Sequence, residues 1–292
     1  MENKIQSLLF SLGVCSPNTV EEIYPQVRDR DDIRVLKCNK SGVMFLSRTD
    51  HIQLSHYSQQ RDFSYWSASN RSQATMNTLD DDQRRARQFE LIIRSKKWLD
   101  FGTGAGGILD LLAEKAAEAY AIEPQTHTRN ELVRCGYKVF QDISQIQNEY
   151  IDIVTLFHVF EHLLDPIETL NSIAEKLVES GKIIIEVPHA NDMLLSFFDL
   201  ESFKRFTFWS EHLVLHTRYS LEVFLREAGF HHICVEGFQR YPLANHLYWL
   251  ARGKPGGHKE WHYLQTPELN RSYAALLAQL DKTDTLIAVA EK

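Results

Sequence analysis

The sequence predicts an α/β fold, a mostly parallel, helix-covered sheet preceded by a small α+β region, and three observations point to it. Between residues 97 and 188, apolar runs rich in Val and Ile alternate with amphipathic segments, the pattern of parallel strands covered on both faces. The first run enters a glycine-rich turn that opens a helix, "WLDFGTGAGGILDLL" (98–112). After residue 229 the chain adds two further apolar runs, "HHICVEGF" and "DTLIAVAEK", with a helical segment between them.

The elements follow in order. Ile5, Leu8, Leu9 and Leu12 have helical spacing, so the chain starts on an amphipathic helix. An amphipathic helix is expected there rather than a short lipoprotein-type signal, because Glu2 cancels Lys4, the apolar run is short and Val14 before Cys15 is a poor processing residue. Asn18 with Glu21 three residues on signals a second short helix. "IRVLKC" and "VMFLS" flank "NKSG" as a hairpin. Residues 50–82 are polar with embedded aromatics, and a helix from Gln83 carries Phe89, Leu91, Ile92 and Ile93 toward the core. The strands are then "KWLDFG", "EAYAIEP", "YKVFQD", "YIDIVTLFHVF" and "GKIIIEVP". The helices between them include "THTRNELVRCG" and "DPIETLNSIAEKLVES", the latter with Pro166 in its first turn and Gly181 past its end. "SLEVFLREAGF" is a helix capped by Ser220, residues 240–264 read as irregular, and "PELNRSYAALLAQLD" is the last helix. The domain organisation expected is 1–60 as a small N-terminal region, 61–82 as a connecting or substrate-covering segment, and 83–292 as the main domain.

Bulk properties narrow the function. The 292 residues suit one large domain or one domain with an accessory, with 43% hydrophobic and 24% charged residues as in ordinary soluble proteins. A net charge of −7 argues against a broad nucleic-acid-binding face, and the local cluster Arg84, Arg85 and Arg87 reads as a solvated helix face. No stretch approaches the roughly 20 apolar residues of a membrane span. Four scattered cysteines without a C-x-x-C pair argue against a disulfide framework or structural zinc and fit free thiols in a reducing cytosol, so a cytoplasmic protein is expected.

The glycine turn admits two cofactors. Gly102, Gly104 and Gly107 satisfy the G-x-G-x-x-G of a dinucleotide site, while Asp100, Gly102, Gly104 and Gly106 satisfy D-x-G-x-G-x-G. A carboxylate just before the turn sits unfavourably near a diphosphate but can receive an ammonium group. Glu123, about 20 residues after the turn, can accept both ribose hydroxyls in either case. Asp142, after the third strand, is placed to accept from an adenine amino group. The following "LFHVFEHLLDPIETLNSIAEKLVESGKIIIEVP" (156–188), the D-x-G-x-G-x-G turn and the closing strand pair together resemble the class I S-adenosylmethionine-dependent methyltransferases over residues 83–292.

That resemblance implies a Rossmann-like, seven-stranded sheet with an antiparallel last strand, and S-adenosylmethionine as cofactor. It assigns cofactor contacts to Asp100, Phe101, Gly102, Thr103, Gly104, Gly106, Glu123, Pro124, Asp142, Phe157 and His158, the last two near the sulfonium end. "FTFWSEHLVLHT" (206–217) resembles an aromatic-x-Glu-His element of sugar-modifying members of the family, in which a tyrosine stands where Trp209 falls here. Trp cannot exchange a proton, which counts against carbon methylation through that position, and leaves His212 with Glu211 as candidate base for a hydroxyl. His158 is the other catalytic candidate, and His189 is a substrate candidate at the crevice. The hairpin around Cys38 resembles the zinc module of the same group with its other thiols missing, so a degenerate, metal-free version is expected. Tyr57, Tyr65, Trp66 and Trp209 are candidates for stacking on a sugar ring. No metal site is expected, since the histidines lack H-x-x-x-H spacing with an acid on one helix. The expected substrate is a small molecule, a saccharide or nucleotide-linked sugar methylated on a hydroxyl or carbon. An aromatic or quinone-like acceptor, suggested by Phe197, Phe198, Phe203, Phe206 and Phe208, and a non-catalytic cofactor-binding partner are the alternatives.

Overall fold

The computed structural model describes residues 3–52 and 68–292. Tyr57, Tyr65, Trp66 and residues 61–67 of the expected connecting segment lie outside the described residues. The chain opens on helix α1 (Lys4–Ser11), whose N-cap Asn3 accepts from the Gln6 amide and whose apolar stripe buries Ile5 and Leu9. The helix expected from Asn18 is absent. Ser16 and Thr19 instead close a capping box around a single 3-10 turn (Pro17–Thr19), and the β-branched Val20 starts strand β1 (Val20–Tyr24). Antiparallel pairing of β1 with β2 (Val35–Cys38) outweighs the local helix signal. The predicted hairpin is present as β2 and β3 (Met44–Leu46).

The main sheet has the seven strands expected, in the order β10-β11-β8-β7-β4-β5-β6. Strands β4 (Lys97–Phe101), β5 (Glu118–Ile122), β6 (Lys138–Phe140), β7 (Ile151–Phe157) and β8 (Leu177–Pro188) run parallel. The closing strand β11 (Thr285–Glu291) inserts antiparallel between β8 and β10 (His231–Phe238). Strand order reverses beside β4, whose neighbours are β5 and β7, so the carboxyl ends of β4 and β7 border the crevice where such sheets bind ligands. Ile153, Ile184 and Trp98 on one face pack under helices α2 (Arg71–Ile93) and α3 (Gly107–Leu112). Leu99, Val154 and Ile185 on the other join a core with α5 (Pro166–Lys176) and α8 (Arg218–Glu227) that continues into the N-terminal region. Helix α4 (Thr126–Arg134) covers β6.

Several elements depart from expectation. Helix α2 begins at Arg71, where Asn70 caps it through the Gln73 amide, and it buries Phe89 and Ile93 but leaves Leu91 84% exposed, on the far side of the helix. Helix α5 ends at Lys176 because Leu177 already pairs with Ile151 of β7, so Gly181 lies inside β8. The cap of α8 is Thr217, which exchanges hydrogen bonds with Ser220 three residues on. The short helices α6 (Met193–Ser196) and α7 (Glu201–Thr207) follow β8, and the stretch read as irregular contains α9 (Leu243–Arg252) and α10 (Gly257–Glu260) before α11 (Pro267–Gln279). A two-residue strand, β9 (Val214–Leu215), was also not foreseen. It pairs antiparallel with β3 and makes the N-terminal sheet β1-β2-β3-β9, tying that sheet to the segment that carries Trp209 and His212. Among the described residues no helix is long and apolar enough to cross a membrane.

Candidate active site

The glycine turn is fixed by its neighbours. The amides of Gly102 and Thr103 both donate to the Ile122 carbonyl, at 2.9 and 3.1 Å, locking the turn onto the end of β5. Gly102 has φ 76°, and a Cβ there would stand 2.6 Å from Val159 Cγ2. The Gly102→Ala variant therefore combines left-handed strain with a clash, and a loss of about 2 kcal/mol is expected in urea unfolding; a loss under ~0.5 kcal/mol would show that the turn relaxes freely.

Two carboxylates flank this turn. Asp100, at the end of β4, is 3% exposed, and its Oδ1 accepts from Thr155 Oγ1 at 2.7 Å, itself the acceptor for Trp98 Nε1 at 2.9 Å. Burial raises its pKa to about 6, because hydroxyl partners and a more distant Arg85 compensate the charge only in part. A cationic ligand group beside it would pull that value back down. Glu123, after β5, is 1% exposed and is held by two backbone donors, Gly104 N–H at 3.0 Å and Gln125 N–H at 2.7 Å. These residues fit a ligand with an ammonium at one end and vicinal hydroxyls further along. Of the other expected contacts, Phe101, Thr103, Gly104 and Pro124 lie on the same rim, with Arg129 bracing the carbonyls of Glu123 and Pro124. Asp142 stands exposed at the end of β6, where it caps a 3-10 turn by accepting from Ser144 N–H at 2.8 Å. Phe157 stacks on Phe89 at 5.5 Å with the Arg85 guanidinium 4.9 Å from its centroid.

Arg84 and Arg85 do not form the solvated face read from the sequence. Both turn inward from α2 onto Glu186 of β8, a carboxylate with 0% exposure. Arg84 binds it with two nitrogens at 2.6 and 2.8 Å, and Arg85 with Nη2 at 2.8 Å and Nε at 3.2 Å. Arg87 of the same cluster is exposed. A sequence signal for this existed: one acid in the apolar strand "IIIEVP" has to find a cation if it is to be buried.

His158 lies inside the same network. Its Nδ1 is 3.2 Å from Glu161, its Nε2 is 3.3 Å from Glu186, and the guanidinium of Arg240, bound to Asp81, lies 2.9 Å from Nε2. Burial and Arg240 oppose a charged ring, but the two carboxylates outweigh them and raise its pKa. Both ring nitrogens are thus engaged within the protein.

A second cluster sits just beyond β7. Glu161 and His162 occupy the one-turn 3-10 helix Phe160–His162, and the Leu213 amide donates to the Glu161 carbonyl at 2.9 Å, bringing in the segment of Trp209, Glu211 and His212. Glu211 contributes its backbone carbonyl, which accepts from His162 Nδ1 at 2.8 Å. The His212 ring lies 5.1 Å from that of His162 and 5.4 Å from that of Trp209, which Arg28 covers at 4.6 Å. Burial, then His162, lowers the His212 pKa to about 3, which strips it of the basicity a proton acceptor uses near neutrality. Burial works against the Glu161 carboxylate, yet the His158 hydrogen bond and the nearby imidazoles hold it at about 2. His189 is engaged elsewhere: buried, it donates from Nδ1 to the Thr283 carbonyl at 3.0 Å. Of the phenylalanines, Phe203 and Phe206 pack on Trp249 and Phe208 on Tyr24, while Phe197 and Phe198 are exposed.

Comparison with known proteins agrees with this architecture. A SAM-dependent methyltransferase from Archaeoglobus fulgidus superposes with a TM-score of 0.53 and 20% identity, covering 77% of this chain and 95% of its own. A SAM-dependent methyltransferase from Thermotoga maritima gives 0.51 and 12%, covering 76% and 93%. At these identities the likeness is one of fold. A sequence search against curated proteins finds no match. The family profile described as a methyltransferase domain matches residues 39–235, more than half of the sequence, and the chain therefore belongs to the methyltransferase-domain family.

Proposed function

We propose that this protein transfers the methyl group of S-adenosylmethionine to a small-molecule acceptor, a saccharide or nucleotide-linked sugar carrying the receiving hydroxyl. The observation that carries the cofactor reading is the pair of buried carboxylates, Asp100 and Glu123, on either side of the glycine turn at the ends of adjacent parallel strands. Asp100 takes the ammonium of the amino-acid tail, and Glu123, oriented by the Gly104 and Gln125 amides, takes the ribose hydroxyls. The cofactor supplies an electrophilic methyl. The protein's part is to align the acceptor with it and to exclude water. The saccharide reading is supported by the resemblance of the Trp209–Ser210–Glu211–His212 element to sugar-modifying members, and by β9, which fastens that element to the N-terminal sheet. The aromatic alternative loses support from Phe203, Phe206 and Phe208, whose rings serve packing among the helices and the N-terminal sheet.

Calorimetry with S-adenosylmethionine tests the cofactor site. The Glu123→Ala variant is expected to bind at least tenfold more weakly than the unaltered protein, through loss of charge-assisted hydrogen bonds worth about 1.5–3 kcal/mol each; equal affinity removes Glu123 from the site. Incubation with a panel of nucleotide sugars, read by mass spectrometry, should then give a product heavier by one methyl. Methylation of phenols alone would favour the aromatic acceptor instead.

A further inference from the structure

We propose that Glu161, His162 and His212 form a binding site for a divalent transition-metal ion of the zinc type. One carboxylate oxygen of Glu161 and one ring nitrogen from each histidine lie within 4.8 Å of one another. Donors held about 2.1 Å from a common ion stand at most ~4 Å apart, so binding requires only a small inward movement. Two imidazoles and one carboxylate form a donor set suited to zinc that leaves at least one coordination position for an oxygen ligand.

The unpartnered atoms give independent support. Glu161 Oε2 and His212 Nδ1 are both buried and find no hydrogen-bond partner among the described residues, and the Glu161 side chain has 0% exposure. A buried polar atom of this kind is costly unless a cation or another partner satisfies it, and both belong to residues of the three-donor group. The surrounding hydrogen bonds are those that prepare metal ligands. His162 Nδ1 donates to the Glu211 carbonyl at 2.8 Å, which leaves its Nε2 with a lone pair 3.9 Å from Glu161 Oε1. His158, whose Nδ1 approaches Glu161 Oε1 at 3.2 Å, helps to fix the orientation of the carboxylate. The local spacing of histidines argued against a metal. The three donors meet because the Leu213 amide and the His162–Glu211 hydrogen bond hold the Trp209–His212 segment against the turn after β7.

The test uses the full chain, freed of metal by chelation and then titrated with Zn2+ by calorimetry and with Co2+ by visible absorption. One equivalent is expected to bind, with the intense d–d bands of a low-coordinate nitrogen-containing site. Glu161→Gln and His212→Ala should each weaken uptake at least about tenfold. The exposed group His231, His232 and Glu291 is a second place where an ion could collect, so a His231→Ala/His232→Ala variant is run alongside and is expected to keep full affinity. Circular dichroism checks that the variants fold. For any that do not, anomalous scattering from a Zn2+-soaked crystal of the unaltered protein replaces them, with a peak expected between the three residues. No uptake, uptake insensitive to Glu161 and His212, or an anomalous peak only at the exposed group would each overturn the proposal. None of these readouts depends on cofactor or acceptor, so failure here is distinct from failure of the methyltransferase reading.

Discussion

Replacing Glu186 with alanine is expected to cost about 3–5 kcal/mol of stability, measured as a lowered midpoint in urea with the slope retained. Glu186 is the shared anion of Arg84 and Arg85, and it also faces His158. Removing it leaves two guanidinium groups, 17% and 10% exposed, with Asp81 and Asp82 as their remaining direct ion-pair partners among the described residues. Glu186→Gln keeps the shape and some of the hydrogen bonds, so its loss should be smaller. Burial opposes the carboxylate, but Arg85, Arg84 and His158 hold its pKa well below the usual range. The sign follows directly: an acid with a depressed folded pKa contributes stability above the unfolded value, and this is lost as pH falls through and below about 4.5. Less than ~1 kcal/mol lost in Glu186→Ala would mean that water or a rearranged Asp81 takes over the role.

The second large effect is on cofactor binding. Asp100 titrates at about 6 in the free protein because it is buried with incomplete compensation. In the proposed site, a ligand ammonium beside Asp100 would stabilise its ionised form and lower that value on binding. Affinity for S-adenosylmethionine should therefore be constant near pH 7 and fall by up to tenfold per unit as pH drops below about 6. The ligand's own amino group stays charged in this window, since its reference pKa is about 7.7–8.0. Asp100→Asn should bind weakly at pH 7 and lose the pH dependence. Calorimetry from pH 5 to 7 decides the matter, and a flat affinity profile in the unaltered protein would remove Asp100 from contact with a cation.

The same residues show what was legible in the sequence. The seven strands and the glycine turn were readable because each rests on a local property: runs of β-branched residues for buried strands, and glycines where the chain takes positive φ. Asp100 and Glu123 were readable because both lie at fixed offsets from that turn. Element ends were less so. Asn18 carries a helix-start signal, yet Val20 pairs into a sheet, since a strand partner supplied by residues 35–38 is invisible to a local rule. The amphipathic α9 was hidden among Pro, Gly and aromatic residues.

What the sequence determined by itself is the α/β class, the seven strands of the main sheet, and the two acids beside the turn. Tertiary structure alone decided that Arg84 and Arg85 face inward to Glu186, that His158 is held by Glu161, Glu186 and Arg240, and that His212 meets Glu161 and His162. It also decided that a strand from residues 214–215 completes the N-terminal sheet. The physical reason is common to all four. A backbone period states which side of an element is apolar, but a buried charge or a ring nitrogen is positioned by whichever distant element packs over it, and that follows from the stacking of whole layers.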